Sequence, residues 1–147
     1  MISIIDYGVG NINSIIRMIE KNGKKVNVIK NKDEIINSSK LILSGVGHFN
    51  YAMNNIELFK LKDTLKCAVI EKKIPILGIC LGMQLLCKYS EEGDKAGLGF
   101  IDANVIKFNN VQNQKLKIPH MGWNIVYPKR NNSIIPSQNE EQRYYFV

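Results

Sequence analysis

The apolar run from Ile74 to Ile79 ends abruptly in a cysteine, Cys80, with Gly78 two residues before it and Gly82 two residues after. A helix-forming segment follows at once. Small residues at these two places let a buried strand turn directly into a helix and leave the side chain between them exposed at the helix N-terminus, the geometry of a nucleophile elbow. A lone cysteine that closes an apolar run is more often a buried structural thiol, since free cysteine is among the most buried residue types. The paired glycines, together with Gln84 one turn further along, argue for the elbow here.

The 147 residues have a one-domain length, 45% of them hydrophobic and 22% charged, which predicts a single folded domain over 1–147 with a substantial core. Lys and Arg outnumber Asp and Glu by 20 to 13, a net charge of +7. They are scattered singly, without the aromatic interleaving of a single-strand binder, so the excess reads as a solvated surface and no nucleic-acid partner is expected. No apolar run approaches the roughly 20 residues that span a bilayer, and MISIIDYG reaches Asp6 too early for a signal peptide. A cytoplasmic protein without a membrane partner is expected. Cys67, Cys80 and Cys87 form no CxxC or Cys/His pattern, so neither a disulfide framework nor a metal site is expected, and no cofactor.

Met1 to Asp6 reads as a buried strand, and GVGN leads into a helix whose Ile12, Ile15, Ile16 and Ile19 repeat at helical spacing until Gly23 stops it. Lys25 to Lys30 is a second strand and Leu41 to Leu43 the core of a third. Leu61, Leu65, Ala68 and Val69 mark another helix, which Pro75 closes before the elbow strand. Cys67 and Cys87 both fall in segments read as helical. This alternation predicts an α/β fold with a doubly wound, mostly parallel sheet and ligands beyond the carboxyl ends of its strands, where GVGN, SGVGHF and GICLG all lie. After Gly93 the pattern changes. GDKAGLGF reads as a loop, and Val105 to Phe108, Leu116 to Ile118 and Ile125 to Tyr127 as antiparallel strands; RYYFV, Arg143 to Val147, is rich in strand formers.

A thiol needs activation, and a helix N-terminus contributes only about 0.3–1 kcal/mol toward the thiolate. A cysteine hydrolase also needs a base that becomes an acid when the amine departs. The chain offers only His48 and His120, neither followed closely by a carboxylate suited to orient it. In SGVGHF a strand ends in Gly45-Val46-Gly47, whose backbone N–H groups, with that of Leu81, suit an oxyanion hole. PHMGWN, Pro119 to Asn124, gathers a histidine, a methionine and the single tryptophan. It reads either as a hairpin with Trp123 in the core or as a partner surface.

IDYGVGN, SGVGHF, GICLGMQLL, GLGFIDANVIKF and IPHMGWN, in this order, resemble the glutaminase subunit of imidazole glycerol phosphate synthase, a class I glutamine amidotransferase, from Ile5 to Val147. The resemblance implies that a cysteine attacks the side-chain amide of glutamine, releasing ammonia and leaving a glutamyl thioester that water hydrolyses. It makes Cys80 the nucleophile and Val46 and Leu81 the oxyanion donors, with Gly45, Gly47 and Gln84 holding glutamine. Asn11, His120, Met121, Trp123 and Asn124 match the face that meets a (β/α)8-barrel cyclase subunit in a heterodimer. His120 is then an interface residue rather than the base. Ser44 stands where the family commonly has proline. The family's His-Pro-Glu motif lies downstream of the point where these residues end, so the expectation is a C-terminally incomplete domain that does not turn over glutamine as it stands. Two other readings stay open: a paralogue that feeds ammonia to a surface-sugar amidotransferase, and a catalytically silent binding module.

Overall fold

A computed structural model describes residues 1–109, 117–129, 134–135 and 141–147. They fall into two compact units, Met1–Lys107 and Phe108–Val147. The first begins with strand β1 (Ile2–Ile5), helix α1 (Ile12–Lys21), β2 (Val26–Ile29), helix α2 (Lys32–Ile36) and β3 (Lys40–Gly45). Helices α3 (Phe49–Leu58) and α4 (Lys62–Lys66) follow, the latter continuing into a π-helical turn at Cys67–Glu71. Then come β4 (Ile76–Cys80), the short helix α5 (Leu81–Leu85), β5 (Cys87–Ser90), β6 (Lys95–Ala96) and β7 (Ile101–Val105).

The first four strands form one parallel sheet in the order β2-β1-β3-β4. That is the doubly wound arrangement expected from the alternation of elements, and its strand order reverses between β1 and β3, where such sheets open a crevice at their carboxyl ends. Side chains alternate across the sheet. Ile5, Ile29, Leu41 and Leu43 point to the face where Phe49, Met53, Ile56, Leu61, Leu65, Leu81 and Leu85 complete the core. Ile4 and Ile42, one residue out of step, are buried on the other face. The isoleucines of α1 are only half-buried, and Leu77 and Ile79 of the outer strand β4 are exposed.

Side-chain oxygens cap the N-termini of both α1 and α2. Asn11 Oδ1 accepts from the Ser14 N–H at 3.4 Å, and Asn31 with Glu34 forms a reciprocal capping box before α2. Helices α2 and α3 had no counterpart in the expected elements. The first is a single capped turn and a little more, too short to show a period. In the second, polar asparagines interrupt the apolar stripe.

Three expectations are corrected. Cys87 opens β5 rather than lying in a helix, because α5 ends after only five residues. The strand placed at Val105 to Phe108 is Ile101–Val105 and pairs in parallel with β5, with β6 antiparallel on the other side. In the second unit β8 is Gly122–Ile125, earlier than Ile125 to Tyr127, and pairs antiparallel with β9 (Arg143–Phe146). Glycine at position 122 hid that start from a reading based on strand propensity. Of the strand expected at Leu116 to Ile118, Leu116 lies outside the described residues.

Two features of this sheet generate measurable expectations. Ser44 is buried, and among the described residues its hydroxyl has no hydrogen-bond partner. Ser44→Ala removes that uncompensated group and is expected to stabilise the protein by about 1 kcal/mol, read as a higher urea midpoint at unchanged slope. At Gly82 an added methyl would overlap the Leu43 carbonyl and stand 2.6 Å from its carbon and 3.0 Å from Ser44 Cα. Because these atoms are backbone, Gly82→Ala is expected to cost at least the upper part of the roughly 1–3 kcal/mol typical of overpacking. The same denaturant titration reads both variants.

Candidate active site

Cys80 ends β4 with φ 53° and ψ −120°, a conformation that residues with a side chain rarely adopt. It is exposed, and Leu81 begins α5 in the next position, so the chain turns from strand to helix at the thiol. The flanking glycines make the turn sterically possible. A methyl at Gly78 would lie 2.6 Å from Met83 Cα, and Gly82 packs against the backbone of β3 as described above. Strain of this kind, on the order of 1–3 kcal/mol, persists where surrounding structure over-determines it and clusters at functional sites.

The other two cysteines differ. The nearby Glu71 carboxylate pushes the Cys67 thiol pKa up, and burial pushes the Cys87 thiol up. Both are held toward the unreactive, protonated form.

A cleft of about 470 Å³ opens beside Cys80, lined by Gly47, Leu81, Gln84, Glu91, Glu92, Val105, Ile106 and Lys107. Four residues singled out from the sequence thus share one cavity: Cys80, Gly47, Leu81 and Gln84. Gly45 pairs with Cys80 in register across β3 and β4, and Val46 follows it, exposed. The loop carrying Gly45, Val46 and Gly47 therefore leaves the sheet beside the nucleophile. Gly47 takes φ +103°, a left-handed value natural only to glycine.

Glu91, Glu92 and Lys107 were not anticipated. They follow β5 and β7, strands whose pairing brings them back to the elbow. Glu92 accepts a hydrogen bond from the Phe49 N–H at 2.8 Å, at the start of α3, and Glu91 accepts from the Lys107 N–H at 2.7 Å. The acidic pair before Gly93 is visible in the sequence, but nothing local distinguishes it from a solvated turn.

His48 caps α3, with Nδ1 accepting from the Asn50 N–H at 3.2 Å, which commits that nitrogen to the helix terminus. His120 belongs to the second unit. Its ring lies 5.5 Å from that of Phe146 and 6.3 Å from that of Phe108, and Asn124 Nδ2 is 3.1 Å from its Nε2. Trp123 packs edge-on against Tyr145 at 5.6 Å, yet is 63% exposed, and Met121 is exposed beside it. Of the two readings of PHMGWN, a core tryptophan is not what this hairpin presents. Asn11, on the first unit, is exposed and capping α1.

Among the described residues no group of His, Cys, Asp and Glu is arranged to hold a metal ion, and no helix is long and apolar enough to cross a membrane.

Comparison with known proteins agrees with this geometry. The family model described as glutamine amidotransferase class-I matches residues 3–146. Over the whole chain, the sequence is 47% identical to imidazole glycerol phosphate synthase subunit HisH 2 of Methanococcus maripaludis, covering 72% of that protein. It is 42% identical to the Pseudomonas aeruginosa protein of the same name, again covering 72%, and 43% identical to subunit HisH of Methanocaldococcus jannaschii, covering 71%. A match over nearly every residue, on a sheet whose cysteine elbow opens on a cleft, has one reading: the chain belongs to the class-I glutamine amidotransferase family.

Proposed function

We propose that Cys80 attacks the side-chain amide carbon of glutamine, bound in the cleft, and that the ammonia released serves the imidazole glycerol phosphate synthase reaction of histidine biosynthesis. The observation that carries this reading is the exposed, strained thiol at the mouth of a cleft that also holds Gln84, Glu91, Glu92 and Lys107. A free amino acid brings an ammonium and a carboxylate. Carboxylates and a lysine on one wall suit those groups, and an amide side chain suits the polar remainder.

In this reading an Sγ–C bond forms as the carbonyl π electrons move to oxygen, giving an oxyanion that the N–H groups of Val46 and Leu81 stabilise. As the first residue of α5, Leu81 has an N–H with no intrahelical partner. The C–N bond then breaks, nitrogen takes a proton and leaves as ammonia, and water hydrolyses the thioester to glutamate. Donors of this type are each worth roughly a hundredfold or more in rate. The proton transfers call for an imidazole, and His48 has one nitrogen engaged at its helix. The resemblance assigns them to the family's His-Pro-Glu motif.

The relatives are named as subunits of a synthase. Asn11, His120, Met121, Trp123 and Asn124 are proposed to meet a (β/α)8-barrel cyclase subunit in a heterodimer. The exposure of Trp123 and Met121 supports this, because these residue types anchor interfaces and are costly to leave in water. A cytoplasmic setting fits three free thiols, which reducing compartments preserve.

The chloroketone analogue of glutamine tests the nucleophile directly, since its capture needs the thiol and the amino-acid pocket but no base for a leaving amine. Mass mapping after brief exposure is expected to place the adduct on Cys80, with glutamine slowing its formation and Cys80→Ala abolishing it. Adducts chiefly on Cys67 or Cys87, or no protection by glutamine, would sink the proposal. For the interface, Trp123→Ala is expected to cost roughly 2 kcal/mol, about thirtyfold in affinity for the cyclase by titration calorimetry. A folded variant that binds the cyclase as before would remove Trp123 from the contact.

A further inference from the structure

The oxyanion loop poses a mechanical problem. Val46 N–H must point at a developing charge, yet the residue before it is glycine, with the widest backbone freedom of any residue. Something has to hold the preceding peptide. Tyr7, just past the end of β1, is completely buried, and its hydroxyl donates to the Ser44 carbonyl at 2.8 Å.

We infer that Tyr7 is a positioning residue of the oxyanion loop, its hydroxyl setting the plane of the Ser44–Gly45 peptide from which Val46 is presented. The inference rests on the assignment of Val46 as an oxyanion donor. Because the peptide is planar, fixing the direction of its carbonyl fixes its N–H as well and leaves only the dihedrals of Gly45 free. Packing then narrows those. A methyl at Gly45 would stand 2.5 Å from Tyr7 Oη and 3.3 Å from Leu81 Cβ, so this glycine is wedged between the tyrosine and the residue that follows the nucleophile. From the other side, a methyl at Gly10 would lie 3.2 Å from Gly45 Cα, which brings the loop after β1 against the same point.

Tyr7 is itself held. Asn55 Nδ2, from α3, donates to the Tyr7 carbonyl at 3.0 Å. One residue earlier, Asp6 accepts from the Gly8 N–H at 3.0 Å and pairs with Lys30 at 3.1 Å. Burial alone would raise the Asp6 pKa, but the Gly8 N–H and Lys30 hold it below the usual carboxylate value, so the turn stays pinned. Burial also pushes ionisation of the Tyr7 phenol far above the physiological range, and the group remains a donor wherever the enzyme works.

The test compares wild type with Tyr7→Phe, which keeps the ring and loses the hydroxyl. Three quantities are read: the limiting rate of Cys80 capture by the chloroketone analogue of glutamine, the concentration that half-saturates it, and the rate of Cys80 alkylation by iodoacetamide. Only the first depends on an aligned oxyanion loop. Tyr7→Phe is expected to lower it about tenfold or more, the scale of loss that a small misplacement produces, while the other two stay put. A merely structural hydroxyl would lower the thermal midpoint and leave the limiting rate intact, which overturns the inference. Equal slowing by both reagents would locate the defect at the thiol and overturn it too. Wild-type protein that shows no glutamine-protected capture would overturn the glutamine assignment, and this inference with it. If Tyr7→Phe does not fold, Tyr7→Met removes the hydroxyl through a flexible side chain and gives the same comparison.

Discussion

The close approach of α5 to the backbone of β3 is the contact on which the arrangement depends. With hydrogen in place of a methyl at Gly82, the first turn of α5 rests against the Leu43 carbonyl and Ser44 Cα. A helix so close to the sheet can begin immediately after β4, and that leaves Cys80 as the only residue in which the change of direction can occur. The positive φ of Cys80 follows from this constraint. The strain is borne by the core beneath it, where Leu81 and Leu85 of the same helix are buried with Leu43, Phe49 and Met53. Burying side chains of this size contributes roughly 1.5–3 kcal/mol each, enough to hold one unfavourable backbone conformation.

Three loops then converge because the sheet brings their strands side by side. β1, β3 and β4 run parallel, so the loops that leave them share one end of the sheet. The turn after β1 carries Tyr7 and Asn11, that after β3 carries Gly45 to Gly47, and the elbow ends β4. Their contacts are backbone-close: Tyr7 Oη on the Ser44 carbonyl, Gly10 against Gly45, Gly45 beside Leu81. The far wall of the cleft is fastened to the same scaffold through Glu92 on the Phe49 N–H and Asn50 on the Gly93 carbonyl at 3.0 Å. Carboxylate and amide groups that tie one loop to another keep the cleft open without filling it.

The second unit is built on a different principle. Its strands β8 and β9 pair through Trp123 with Tyr145 and Asn124 with Tyr144, but the aromatic rings that would seal a core lie largely in water. Edge-to-face contacts of about 0.5–1.5 kcal/mol each order the rings relative to one another without removing them from solvent. In the proposed interface with the cyclase, a surface of ordered, exposed aromatics would have little side-chain entropy left to lose on contact.

The elbow was legible because its requirements are local. Two glycines at fixed offsets from a cysteine, at the end of an apolar run, state both the turn and the exposed thiol. The parallel sheet was equally legible, since buried strands and amphipathic helices carry their own periods. Family membership followed from the order of the motifs. The rest depended on residues far apart in the chain. Tyr7 reads as one more aromatic beside a turn until β1 and β3 pair and bring its hydroxyl to the Ser44 carbonyl. Glu91, Glu92 and Lys107 read as solvated charge until β5 and β7 return them to the elbow. Trp123 was balanced between core and surface, because its sequence neighbours are the same in either case; only the accessibility of the paired hairpin decided it. Turn-permitting glycines and the periods of strands and helices are set by neighbours in sequence, whereas the burial of an indole and the partners of a hydroxyl or a carboxylate are set by which strands the tertiary fold places side by side.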